Sequence, residues 1–179
     1  MRGAIHNTRA VWPLFTAHRC GRIVKVTSVV GYIGTRGRLP YGTAKGAVHG
    51  FTRSLSKESG EYGIHVNAVS PGALTRPVKA STNNFPDEAA GAFSPELVAP
   101  TVARLAHPDT DVNGEVFTVM AGTTAQVAVV ESDGFRDDAR HVVFLAASRR
   151  RARRRRAMNA AVITAAAAKA YHLYRSIAA

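Results

Sequence analysis

Tyr41-Gly42-Thr43-Ala44-Lys45 places a phenol and an ammonium four residues apart at the start of a long amphipathic pattern. On a helix, positions i and i+4 share a face, so both groups can point into one site. A free phenol has a pKa of about 10 and is a poor base at neutral pH, and a nearby lysine charge favours the phenolate. Ser28 stands 13 residues upstream, at the end of the largely apolar run Ile23-Val24-Lys25-Val26-Thr27. A serine hydroxyl beside the phenol can hold a carbonyl or alcohol oxygen. Ser28, Tyr41 and Lys45 together read as a proton-transfer site for alcohol/ketone chemistry.

Around this site the elements alternate in type. Residues 4–18 carry Ile5, Val11, Trp12, Phe15 and Ala17 at helical spacing, with Pro13 inside the run. Residues 23–27 suit a strand buried on both faces. Residues 29–40 form a glycine-bearing loop. Residues 41–59 form a helix with Ala44, Ala47, Val48, Phe51 and Leu55 on its apolar side, and residues 64–69 form a second buried strand. Strand, helix, strand at this spacing is a βαβ unit, which predicts a parallel sheet with a right-handed crossover. Residues 71–93 have no clear period and follow the carboxyl end of a strand, where open α/β sheets place ligands. A substrate loop is the expected role. Ser94-Pro95-Glu96 reads as a helix start running to about residue 106. Residues 115–120 read as a third strand, and residues 125–130 as a further one.

At 179 residues the chain holds one domain with enough length for a core. Its net charge of +12 is not spread evenly. Residues 148–179 contain nine of the 24 basic residues and no acid; the remaining 15 face 12 acids, or +3 for residues 1–147. The basicity thus belongs to the tail, above all to the arginine block at 149–156. Cys20 is the single cysteine, so no intrachain disulfide can form, and a reducing, cytoplasmic compartment fits. No secretory signal is legible in residues 1–20, and the apolar run at 160–168 is too short to span a bilayer. The seven histidines show no metal-ligand spacing with a plausible partner, so no metal site is expected.

The order of these segments resembles the short-chain dehydrogenase/reductase family. The likeness is carried by Ser28, by Gly31 and Gly34, by Tyr41 and Lys45, and by Ile64-His65-Val66-Asn67-Ala68-Val69-Ser70-Pro71-Gly72, and it runs over residues 1–135. The segments Arg2-Gly3-Ala4-Ile5, Thr8-Arg9-Ala10-Val11-Trp12 and Gly114-Glu115-Val116-Phe117 look most like the branch of the dehydrogenase part of peroxisomal multifunctional β-oxidation enzymes. The resemblance implies that Tyr41 is the acid/base, that Lys45 tunes it and binds the cofactor ribose, and that Ser28 polarises the substrate carbonyl. It implies cofactor contacts, with NAD or NADP, from Tyr41, Lys45, Pro71, Gly72 and Thr75, the last one residue short of the family's commonest threonine position. It implies a small hydroxy or keto substrate, acyl-CoA-like or steroid-like, and homo-oligomers formed through helices 4–18 and 41–59.

The departures are as informative. The family opens with a strand, a glycine-rich turn and a helix that hold the cofactor pyrophosphate, and it carries an active-site asparagine; neither is found in this sequence. Gly21, Gly31 and Gly34 do not have the spacing of a pyrophosphate turn. The expected fold is therefore α/β, a partial Rossmann-like parallel sheet flanked by helices and lacking the amino-terminal cofactor-binding half. Two parts are expected: residues 1–135, a partial dehydrogenase domain, and residues 136–179, a basic alanine/arginine-rich tail, disordered or loosely helical. The tail's bias is what a shifted reading frame through GC-rich coding sequence would produce. It lacks interleaved aromatics, so a nucleic-acid function is not expected of it. The functional expectation is an NAD(P)-dependent oxidoreductase; the alternative is a truncated, non-catalytic remnant or association module.

Overall fold

The computed structural model describes residues 1–76, 78 and 91–131. The expected substrate loop falls mostly outside these residues, and the tail from 136 falls wholly outside them. Residues Met1–Val127 form one unit and Ala128–Ala179 another. Every helix and strand among the described residues lies in the first.

Helix α1 (Arg2–His18) leads through a left-handed Arg19 into strand β1 (Gly21–Val26). A short helical turn, α2 (Val30–Ile33), and the long α3 (Leu39–Ser59) come next, then strand β2 (Ile64–Gly72). Helix α4 (Ala99–Ala106) precedes strands β3 (Val116–Met120) and β4 (Thr123–Gln126). The sheet order is β1-β2-β3-β4. β1 and β2 are parallel, as are β2 and β3, whereas β4 returns antiparallel to β3. This is the expected partial Rossmann-like sheet with a reversed edge. The reversal takes a two-residue turn in which Ala121 (φ 50°) and Gly122 (φ 71°) are both left-handed, the conformation that matches strand twist in tight hairpins.

β2 is the centre. Ile64, Val66, Ala68 and Val69 are buried, because layers cover both faces of this strand. On one face Ile23, Ile64 and Val66 pack against Trp12 and Phe15 of α1, Leu55 of α3, and Tyr62. On the other, Val69 and Val119 pack with Leu105 of α4, joined by Val24, Val98, Val102, Val112 and Phe117. Two side-chain amides pin the loop before β3. Asn113 accepts the Val66 amide at 2.8 Å and donates to the Ser56 carbonyl at 3.2 Å. Asn67 donates to the Val112 carbonyl and accepts the Glu115 amide.

Three features differ from the sequence reading. The expected loop 29–40 is not all loop: Val30–Ile33 forms the helical turn α2, and α3 already begins at Leu39, two residues before Tyr41. Ser94 does not cap a helix through a backbone amide; its hydroxyl bonds the Glu96 carboxylate, Pro95–Leu97 forms a 3-10 turn, and the α-helix starts at Ala99. The last strand is the polar Thr123–Gln126, not the apolar 125–130, whose Val129 and Val130 stand exposed.

Candidate active site

Parallel pairing aligns the carboxyl ends of β1 and β2. Val26 lies opposite Val69, so Ser28 leaves the sheet at the same end as Pro71 and Gly72. The Ser28 turn then folds onto the first half of α3. A β-carbon on Gly31 would lie 2.6 Å from the Gly46 amide nitrogen, so only glycine permits this approach. The buried Thr27 donates its hydroxyl to the Lys45 carbonyl at 2.8 Å, fastening the strand end to the helix. Within the turn, Ser28 Oγ accepts the Val30 amide at 3.3 Å, which leaves its hydroxyl proton available for an incoming oxygen.

Tyr41 and Lys45 sit one helical turn apart on α3, as their spacing requires. The Lys45 ammonium lies 5.7 Å from the Tyr41 ring centroid and donates to the Val26 carbonyl at 3.0 Å. A cation is therefore fixed beside the phenol and at the tip of β1, just before Ser28. The Tyr41 side is open, with 43 % of the residue exposed, so a small molecule can reach the phenol. Thr75 is exposed just beyond Leu74, and its amide donates to the Ala73 carbonyl at 3.0 Å.

Three participants have no signal in the sequence. Thr27 and the Val26 carbonyl position Lys45 through long-range bonds. Tyr32 anchors the far side of the Ser28 turn: its hydroxyl lies 2.6 Å from Thr118 Oγ1 and 3.5 Å from Ser70 Oγ, and its ring packs edge-on against His49.

A nicotinamide dinucleotide fits this arrangement at one end. Lys45 and Tyr41 supply donors suited to ribose hydroxyls beside the carboxyl edge of the sheet. The pyrophosphate has no counterpart among the described residues. Two glycines at this end of the sheet are closed to it: Gly31 by the Gly46 backbone, and Gly72 by the Met120 side chain, 2.6 Å from where its β-carbon would stand. Among the described residues there is no group of acidic, histidine or cysteine side chains that could hold a metal ion, and no helix long and apolar enough to cross a membrane.

The family model described as short chain dehydrogenase matches residues 1–87. A short-chain type dehydrogenase/reductase of Mycobacterium tuberculosis is 37% identical over 136 residues, which are 76% of this chain and 46% of that protein. The peroxisomal hydratase-dehydrogenase-epimerase of Neurospora crassa is 38% identical over 104 residues, 58% of this chain and 11% of that protein. The 3-oxoacyl-[acyl-carrier-protein] reductase of Synechocystis is 34% identical over 128 residues, 68% of this chain and 52% of that protein. Among solved structures, the peroxisomal multifunctional enzyme type 2 of Drosophila melanogaster superposes with a TM-score of 0.66 at 25% identity, covering 75% of this chain and 24% of that one. An NAD(P)-dependent gluconate 5-dehydrogenase from Beutenbergia cavernae, solved with bound NADP, superposes with a TM-score of 0.60 at 29% identity, covering 68% of this chain and 53% of that one. The chain spans about half the length of the Mycobacterium tuberculosis and Synechocystis relatives, and less of the Neurospora crassa one.

Proposed function

We propose that this chain, which belongs to the short-chain dehydrogenase/reductase family, carries the proton-transfer site of an NAD(P)-dependent oxidoreductase acting on hydroxy and keto substrates. The observation that carries the reading is the Lys45 ammonium held between the Tyr41 ring and the Val26 carbonyl, beside the Ser28 turn. In the reductive direction the Ser28 hydroxyl donates to the substrate carbonyl oxygen. Tyr41 releases its phenolic proton to that oxygen as the carbonyl carbon is reduced, and the Lys45 charge stabilises the phenolate that remains. Oxidation reverses the proton's path. When bound, the nicotinamide supplies or accepts the hydride; Tyr41 and Lys45, with Pro71, Gly72 and Thr75 at the neighbouring strand end, are the residues that would hold its riboside.

The substrate class we favour is a 3-hydroxyacyl or 3-oxoacyl thioester, with a steroid-like alcohol as the wider possibility. Support comes from relatives named as 3-oxoacyl-[acyl-carrier-protein] reductases and peroxisomal hydratase-dehydrogenase-epimerases. Self-association through α1 and α3 and residence in a reducing compartment such as the cytoplasm belong to the same proposal, the latter because the single thiol, Cys20, is exposed.

A second reading has its own support. With no pyrophosphate cradle among the described residues, the chain would act as a non-catalytic association module. Fluorescence titration with reduced nicotinamide dinucleotide separates the two. Binding weaker than micromolar, that is less than about 8 kcal/mol, but saturable at millimolar cofactor and accompanied by turnover, supports the oxidoreductase. No saturable binding supports the module.

A further inference from the structure

Two tyrosines follow Ser28 closely in the chain, and the fold treats them oppositely. Tyr41 is exposed, whereas Tyr32 is half-buried and its hydroxyl is already committed. That hydroxyl lies 2.6 Å from Thr118 Oγ1, where either group can donate, and 3.5 Å from Ser70 Oγ. Ser70 and Thr118 stand directly opposite each other on β2 and β3, so their hydroxyls lie side by side on one face of the sheet. Ser70 is buried, and its Oγ has no nearer partner among the described residues. The His49 ring packs edge-on against Tyr32, with ring centroids 5.8 Å apart, and limits how far the phenol can swing. A phenol engaged in this way is not free to pass its proton to a substrate. Its use is positional.

The turn between Ser28 and Tyr32 is a stiff unit. The Gly31 amide donates to the Ser28 carbonyl at 2.9 Å, and the Tyr32 and Ile33 amides donate to the Val29 carbonyl at 3.2 and 3.0 Å. The Val30 amide donates to Ser28 Oγ. A displacement at Tyr32 therefore travels to Ser28. On one side the unit rests on α3, through Gly31 against Gly46 and, just before it, Thr27 bonded to the Lys45 carbonyl. Among the hydrogen bonds of residues 28–33, those of Tyr32 are the ones that reach β2 and β3. Without them the unit keeps its seat on the helix and loses its tie to the centre of the sheet.

We propose that Tyr32 is a positioning residue, whose hydroxyl, held by Thr118 and Ser70, sets where the Ser28 hydroxyl stands at the carboxyl end of the sheet. The role rests on the reading of Ser28 as the donor to the substrate oxygen. Such a donor bonds most strongly when that oxygen gains charge, so moving Ser28 weakens the transition state more than it weakens substrate binding. A misplacement of about 1 Å can cost on the order of 100-fold in rate. Thr118, within β3, then influences the reaction through two intermediaries, Tyr32 and Ser28.

The test is a double-mutant cycle on the full chain, read as reduction of a 3-oxoacyl thioester at millimolar reduced nicotinamide dinucleotide. Tyr32→Phe should lower kcat by about tenfold or more with KM unchanged. Thr118→Val should do the same from the other end of the bond, whereas Thr118→Ser keeps the hydroxyl and should keep the rate. In a Ser28→Ala background, Tyr32→Phe should change kcat by less than about twofold, because the group it positions is gone. Hydrogen exchange on the peptide covering residues 28–33 should be faster in Tyr32→Phe and in Thr118→Val than in the unsubstituted chain. Turnover by the unsubstituted chain, with Tyr32→Phe equally fast, with the same loss in both backgrounds, or with unchanged exchange at 28–33, overturns the positioning role alone. No turnover by the unsubstituted chain overturns the oxidoreductase reading and this role with it.

Discussion

Gly31 and Gly46 meet backbone to backbone, with the Gly46 amide nitrogen 2.6 Å from the place a Gly31 β-carbon would occupy. The contact seats the Ser28 turn on the helix that carries Tyr41 and Lys45. Gly31→Ala must push two main-chain segments apart. Overpacking of this kind costs about 1–3 kcal/mol, and the midpoint of chemical denaturation should fall accordingly. Because the displaced turn holds Ser28, turnover should fall by more than stability alone explains, measured well below the unfolding transition.

Asn113 ties three segments together, accepting the Val66 amide and donating to the Ser56 carbonyl. Asn113→Ala leaves the Val66 amide without its partner inside the sheet. The expected loss is about 1–3 kcal/mol. Asn113→Asp keeps the acceptor for Val66 and removes the donor to Ser56, so it should cost less than the alanine. Denaturant titration of both variants checks the order.

Acidification should destabilise the fold through two histidines. His49 Nε2 and His65 Nδ1 are buried and have no hydrogen-bond partner among the described residues. Burial lowers the pKa of each, assisted by Arg53 beside His49 and by Arg22 beside His65; at His65 a hydrogen bond to the Thr110 backbone and the Asp111 charge oppose the shift without reversing it. The unfolded chain, with histidines near about 6.5, then binds more protons than the native one. Stability should be flat above that pH and decline as pH falls from there towards the lowered native values. Thermal unfolding at pH 7.5 and 5.5 measures the decline, and His49→Asn combined with His65→Asn should shrink it. An equal midpoint at both pH values would contradict the assignment.

Much of the fold is legible from periodicity. The stretch from Tyr41 to Ser59 announces a helix because its apolar residues recur along one face, and Ile64 to Val69 announces a buried strand because most of its positions are apolar. β4 is not legible. Thr123-Thr124-Ala125-Gln126 has no apolar alternation, and its hairpin rests on a left-handed Ala121 where a glycine or asparagine would have signalled the turn. The apolar Val127-Ala128-Val129-Val130 attracts the strand reading instead. At the site, Tyr41 and Lys45 are visible because a helix converts their spacing into proximity. Thr27, the Val26 carbonyl and Tyr32 are not, because their bonds to Lys45 and Thr118 join residues 18, 19 and 86 positions apart.

If Tyr41 moves the proton, its loss must show in the chemical step. The experiment is reduction of a 3-oxoacyl thioester by the full chain at millimolar reduced nicotinamide dinucleotide, comparing the unsubstituted protein with Tyr41→Phe. General acid catalysis contributes on the order of 100-fold or more. Measurable turnover is expected from the unsubstituted chain, falling at least that far in Tyr41→Phe, with cofactor binding and the thermal midpoint unchanged. Equal rates for the two proteins, or no turnover by the unsubstituted chain when saturated with cofactor, would contradict the assignment of Tyr41 as the acid/base.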